Sequence, residues 1–323
     1  MEEKRNPFFF SGMVQRPEDF YGRKAELQRI FGLLGGAQPM SVSVVGPRRI
    51  GKSSLLWYIC QKGQERLGKE WRFGYVGLDG LGDLTVLRLL RAMAAALKEN
   101  LSDDSYEGFS TLVDGLVKKG QSLVLCLDEF EAAGQLGSDF LGYLRGLIST
   151  NKVALVVATE RPLEELSQDG VLTSPFYNVF ARVDLGPMPE AEARELLTQR
   201  GAMPFSSEEI ATALRQSGGH PFLLQQLGSQ LYEKYYGGAG TPLVTTGPGV
   251  SQARRPRPAS SLTWALVGYS GALMILALAI ILPSPVNLIG YGVSAVLTIL
   301  GFLATLEYLF GARSSATPKG GRP

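Results

Sequence analysis

The run Gly46-Pro47-Arg48-Arg49-Ile50-Gly51-Lys52-Ser53-Ser54 has the residue types and spacing of a loop that holds phosphate. Its two glycines let the chain curl so that main-chain N–H groups face phosphate oxygens. Lys52 then reaches the β- and γ-phosphates of a nucleotide, and the Ser53 hydroxyl ligates Mg2+. Such a loop needs a second group to steady the metal and prepare water. Asp128 and Glu129, which follow the apolar run 122–127, supply it: Asp128 holds Mg2+ through its water shell and Glu129 polarises the attacking water. The plainer alternatives are a glycine-rich turn with an exposed lysine and a strand-end turn that happens to carry two acids. A third apolar run, 153–158, ends in Thr159-Glu160-Arg161-Pro162. In parallel α/β sheets ligands gather beyond the strand carboxyl ends, so Thr159 is a candidate sensor of the terminal phosphate and Arg161 could respond to its charge. Glu160 would repel a phosphate, and an ordinary strand exit is the competing reading.

These side chains converge only if the elements carrying them form one sheet. Residues 41–45 read as the strand before the phosphate loop, and 55–60 have helical spacing after it. Strands are expected at 71–78, 122–127, 153–158 and 180–185, and helices at 84–99 and 140–148. Five strands separated by helices predict an α/β fold with a doubly wound parallel five-stranded sheet. Helices at 190–199 and 207–215 then form a small separate lid. The expected α/β domain is 1–187 and the lid is 188–236.

The 323 residues are 45% hydrophobic and only 19% charged, which excludes a disordered chain. The formal charge of +2 divides unevenly, with residues 1–250 at −3 and the remainder at +5. A generally basic nucleic-acid binder is therefore not expected, and no nucleic-acid partner is assigned. Cys60 and Cys126 sit in apolar segments without a CxxC or Cys/His cluster, so reduced, buried thiols are expected.

The apolar excess is concentrated at the back. Residues 262–282 form an uncharged run of 21 residues, enough for about 30 Å of helix. Residues 286–310 form a second run with Glu307 as its only ionisable group, and Pro283-Ser284-Pro285 joins the two. Two spans with a short turn predict a transmembrane hairpin; a buried helical pair would ordinarily show a polar face. Arg254, Arg255 and Arg257 before it, and Arg313, Lys319 and Arg322 after it, place both ends on the cytoplasmic side of the cell membrane. Nothing at the start resembles a signal peptide, so the front is expected in the cytosol. Residues 237–261, rich in Gly, Pro, Thr and Ser, read as a flexible basic linker, and 311–323 as a cytoplasmic tail.

Taken together, several segments resemble the prokaryotic AAA+-related ATPases of the STAND class and their origin-recognition-like relatives, over about residues 6–235. Asn6-Pro7-Phe8 and Phe20-Tyr21-Gly22-Arg23-Lys24-Ala25-Glu26-Leu27 resemble that family's lead-in to the phosphate loop; GPRRIGKSSLL and LCLDEFE resemble its two nucleotide motifs. Gly219-His220-Pro221-Phe222 resembles its GxP signature. The resemblance implies ATP as the nucleotide, an adenine pocket lined by Phe20, Tyr21, Gly22 and Arg23, and His220 sensing the nucleotide from the lid, with Pro221 fixing the turn before a helix at 222–235. A local turn with His220 bonded nearby is the alternative. The family's usual winged helix after GxP is replaced here by the linker and hairpin, which puts DNA binding and the standard switch in doubt. Arg145 and Arg182 are candidates to reach a neighbour's γ-phosphate in a homo-oligomer, with surface ion pairs as their simpler role. The function these readings imply is a membrane-anchored ATP-hydrolysing switch that signals to a cytosolic protein partner. An ATP-gated membrane-perturbing effector and a non-hydrolysing scaffold are the alternatives.

Overall fold

Runs of β-branched and aliphatic residues bounded by glycine or polar breaks give five strands: β1 (Ser41–Val45), β2 (Trp71–Gly77), β3 (Ser122–Asp128), β4 (Val153–Thr159) and β5 (Phe180–Asp184). They form one sheet in the order β2-β3-β4-β1-β5, and every neighbouring pair is parallel. The structure is a computed structural model that describes residues 6–8, 11–168, 175–199 and 201–236. All of these lie in Met1–Pro242, the first of the two units into which the chain divides. The expected linker, hairpin and tail (237–261, 262–282, 286–310 and 311–323) lie outside the described residues. Among the described residues, no helix is long and apolar enough to cross a membrane.

Period-two alternation in the strands assigns the two faces of the sheet. Leu123, Leu125 and Leu127, with Leu155 and Val157, pack against α3 (Val86–Ala96), α4 (Tyr106–Lys118), α5 (Gly137–Ser149) and α6 (Leu163–Gln168). Val124 and Cys126, with Val42, Val44, Val156 and Ala158, pack against α1 (Lys24–Leu34) and α2 (Lys52–Leu67). Both faces are covered, so β3 and β4 are almost continuously apolar and buried. A third apolar cluster belongs to α7 (Glu190–Thr198), α8 (Ser207–Ser217) and α9 (Pro221–Tyr236), built around Leu196, Leu197, Ile210, Ala213 and Leu224. Phe8 joins this cluster, stacking on Phe205 with ring centroids 6.0 Å apart.

Several boundaries differ from the sequence reading for local reasons. Helix α3 starts at Val86 because the Thr85 hydroxyl accepts from Arg88 N–H, the side-chain cap that ends the preceding turn. Helix α5 begins three residues earlier than its apolar spacing suggests, at Gly137. Helix α9 includes Pro221 as its first residue, where proline has no N–H to lose, and the His220 carbonyl accepts from Leu224 N–H at 2.9 Å. Helices α1, α4 and α6 add elements that the sequence reading did not assign.

Register sets the functional edge. Val45 pairs with Thr159 and with Asp184, Leu127 with Val157, and Asp128 with Gly77. Because β4 lies between β1 and β3, Thr159 stands between the end of the phosphate-loop strand and the end of the acidic strand. Gly46 N–H donates to Thr159 O at 3.1 Å, which ties the start of the loop to that residue.

Candidate active site

The loop after β1 is shaped by its glycines. At Gly46 an added Cβ would lie 2.7 Å from Leu185 O, so a side chain is excluded there. Gly51 has φ +100°, a conformation that glycine adopts freely. Arg49, at φ 61°, makes the same left-handed turn without that freedom, and its guanidinium lies over the Phe222 ring, 4.5 Å from the centroid. The turn delivers the chain into α2, whose N-terminus carries no side-chain cap and no acid in its first turn. Its free N–H groups and the positive end of its dipole remain available to an anion. Lys52 is 6% exposed, and its Nζ donates to Gly46 O at 2.8 Å and Pro47 O at 3.2 Å. Its only hydrogen bonds among the described residues are to carbonyls, with the Glu129 carboxylate as a nearby opposite charge.

The acidic strand ends beside it. Asp128 is 4% exposed; its Oδ2 accepts from the Tyr75 hydroxyl at 2.9 Å and its Oδ1 from Glu129 N–H at 3.1 Å. Glu129 follows in a left-handed conformation at φ 52°. Burial first, and then the carboxylates of Asp128, Glu131 and Glu160, raise the Glu129 carboxyl above the ordinary range, with Lys52 opposing them. Thr159 is fully buried and its Oγ1 has no hydrogen-bond partner among the described residues. A buried hydroxyl in that state costs about 1–3 kcal/mol, which an oxygen ligand at this edge would offset.

Lys52 and Glu129 border a cavity of about 650 Å³. Its lining also includes Arg48 to Ser54, Asp79, Phe20, Tyr21 and Arg23, with Pro221 and Phe222 of the lid. Gly46, Pro47, Asp128, Thr159, Arg161 and His220 are not part of that lining. Gly46, Asp128 and Thr159 are buried, and Arg161 is exposed. Gly22 borders a neighbouring depression instead, where a Cβ would overlap Met188 and Glu192.

Several assigned residues are bound to the protein itself. The Arg23 guanidinium donates to Ile50 O at 3.0 Å and pairs with Glu26, so it braces the phosphate loop. The N–H groups of Arg23 and Lys24 donate to the Glu192 carboxylate on α7, at 2.6 and 3.2 Å. Ser54 Oγ accepts from Val14 N–H at 3.0 Å, which anchors the segment before α1. The His220 ring bonds to the Arg48 main chain, and its Nδ1 is buried without a partner among the described residues. Burial, and then the nearby Arg23 charge, hold the His220 pKa below its usual value despite that bond. Glu160 is ion-paired with Arg48, so the acid expected to repel phosphate is matched by a loop cation. Glu160 N–H in turn donates to Glu131 Oε1.

Of the two arginines considered for a neighbouring subunit, Arg182 is bonded to Asp184 on its own strand at 2.8 Å. Arg145, on α5, makes no ion pair among the described residues. Cys126 is buried and Cys60 half-buried, and neither forms a disulfide. Among the described residues, no three His, Cys, Asp or Glu side chains converge on a metal position. A cation here would rest on Ser53, Asp128, water and phosphate oxygens, and the hard oxygen donors suit Mg2+.

The sequence reading gave no site role to Asp79, Tyr75, Glu131, Glu192 or Phe222, although Glu131 and Phe222 stand inside motifs it quoted. Asp79 stands two residues beyond β2, and the rule that ligands gather beyond strand ends would have singled it out. The others depend on register and on packing between distant segments.

Similarity to known proteins agrees with this geometry at the level of fold. The Novel STAND NTPase 2 family model matches residues 108–245, which take in Asp128, Glu129, Thr159, His220 and Pro221 but not the phosphate loop. The Aeropyrum pernix ORC2 protein, solved as ADPNP-ADP complexes, is similar with a TM-score of 0.59 at 15% identity, over 83% of this chain and 78% of that one. A Walker-type ATPase of Pyrococcus abyssi gives 0.55 at 18% identity, over 89% and 92%. The Aeropyrum pernix ORC1 protein in complex with DNA gives 0.52 at 18%, over 81% and 72%. No curated protein matches the chain in sequence. The fold is that of P-loop ATPases.

Proposed function

We propose that the protein is a nucleotide-dependent switch that binds ATP with Mg2+ between the carboxyl edge of the sheet and the α7–α9 lid, hydrolyses it, and is held at a membrane by the two apolar segments 262–282 and 286–310. One observation carries the reading. The uncapped α2 N-terminus, with its buried, carbonyl-held Lys52, and Glu129 line one cavity together with Phe20 and Tyr21, while Asp128, next to Glu129, and Thr159, whose hydroxyl has no partner among the described residues, are buried at the ends of their strands.

The donor set fits a triphosphate and its cation. Lys52 and the loop N–H groups bind the phosphates, Ser53 and Asp128 hold the ion, and Glu129 orients water and accepts its proton. A bound magnesium ion supplies neutralisation of the phosphate oxygens. Met188 and Leu196 of the lid side, with Phe20 and Tyr21, give the cavity lining an apolar, aromatic part suited to a base. The preference for adenine rests on the family resemblance. The family-model match supports a STAND-type NTPase, and the membrane location rests on the hydropathy of the two segments.

The test is binding and phosphate release by the full chain. Lys52→Ala is expected to abolish nucleotide binding, and Glu129→Gln to keep binding while turnover falls by two orders of magnitude or more. Normal turnover in Glu129→Gln would remove the assigned base. Micromolar binding without phosphate release in the wild type would favour a nucleotide-gated scaffold.

A further inference from the structure

The outermost strand β2 contributes a group to which the reading above gives no role. Tyr75 reaches across to β3 and donates its hydroxyl to Asp128 Oδ2 at 2.9 Å, while Oδ1 is engaged by Glu129 N–H at 3.1 Å. Each carboxylate oxygen therefore has one fixed donor, so rotation of the group is restrained at both ends. Gly77, which pairs with Asp128 in the sheet, lies beside this contact: a Cβ there would stand 3.7 Å from the Tyr75 hydroxyl, an ordinary contact, and 3.3 Å from Asp79 Oδ1.

We infer that Tyr75 is a positioning residue for the cation: its hydroxyl fixes the rotation of the Asp128 carboxylate and so sets where the remaining lone pairs meet the ion and its waters. This rests on the nucleotide-and-Mg2+ reading of the site. Asp128 is 4% exposed, so no bulk solvent can replace a lost donor cheaply, and such outer partners typically govern metal affinity by about 10- to 100-fold. Tyr75→Phe removes a single oxygen and leaves the ring in place.

The experiment is Mn2+ titration of the nucleotide-loaded full chain, with electron paramagnetic resonance reading free and bound ion, and a fluorescent ATP analogue reading nucleotide affinity with and without metal. Tyr75→Phe is expected to weaken Mn2+ about tenfold, to leave metal-free nucleotide affinity unchanged, and to add nothing in an Asp128→Asn background. Wild-type Mn2+ affinity in Tyr75→Phe overturns the inference. Equal losses of metal and metal-free nucleotide affinity overturn it too, since they mark a support of the fold alone. Loss of Mn2+ affinity that persists in the Asp128→Asn background places the effect elsewhere and also overturns it. Failure of the underlying reading looks different: the wild type itself then binds no nucleotide, or binds it as well after Lys52→Ala.

Discussion

Glu129 sits among three other carboxylates, Asp128, Glu131 and Glu160, with Lys52 as the opposing charge, and half-buried at the edge of the cavity. A carboxyl raised in this way holds its proton to higher pH than a free glutamate of pKa about 4.3, and only the deprotonated form can take a proton from water. Turnover should therefore fall with acid at a pH above the ordinary glutamate range. Removing one of the neighbouring charges should move that limb downward. In Glu160→Gln the expected pH–rate profile shifts to lower pH, and nucleotide binding tightens several-fold because Arg48, which lines the cavity, loses its partner; both are read from kcat against pH and from nucleotide titration. An unchanged limb would assign it to another group. At this scale the phosphate loop and the Asp128-Glu129 pair were legible, because their chemistry is local in sequence. Tyr75 was not, since its approach to Asp128 depends on the β2–β3 register, which no short motif encodes.

At the scale of elements, the chain before α1 works as a strap across the lid. Asn6 Nδ2 donates to Ser229 Oγ at 2.9 Å and to Glu233 Oε1 at 3.1 Å, and Phe8 fills the space above Gly228. A Cβ at Gly228 would come within 2.3 Å of the Phe8 ring. Residues 11–14, further along the same segment, border the cavity. Gly228→Val should eject Phe8, lower stability by about 1–3 kcal/mol as an overpacked contact does, and weaken nucleotide binding; thermal melting and nucleotide titration check the two effects together. Stability loss with unaltered affinity would separate the strap from the site. Most helices were readable from apolar spacing, including α7 and α8. Helix α4 shows the same stripe in Phe109, Val113 and Leu116, but Gly108 and Gly115 mask it as a helix. Gly108 is required locally, by the turn that leads into α4, because a Cβ there would lie 2.0 Å from Asp103 O.

At the scale of the whole molecule, the uneven charge and the apolar residues 262–282 and 286–310 set the expected location. The full chain should resist extraction from membranes by alkaline carbonate and float with liposomes, whereas a chain ending at residue 236 should remain in the soluble fraction; a freely soluble full chain would remove the anchor. The sheet's parallel character was legible from its near-continuous apolar strands alternating with helices. Its strand order was not, because the insertion of β4 between β1 and β3 is decided by how helices pack on both faces. That order carries a consequence for biosynthesis. Among the described residues, strand β1 pairs with β4 and β5 and with no other strand, so there the segment leading into the phosphate loop has no ladder partner until residues 153–159 have been synthesised. At about 5–20 residues per second, a ribosome needs roughly 5–20 s to cover that interval. For that time the nascent chain presents an apolar strand with both edges open, and its protection before the sheet closes falls to the cell's chaperones.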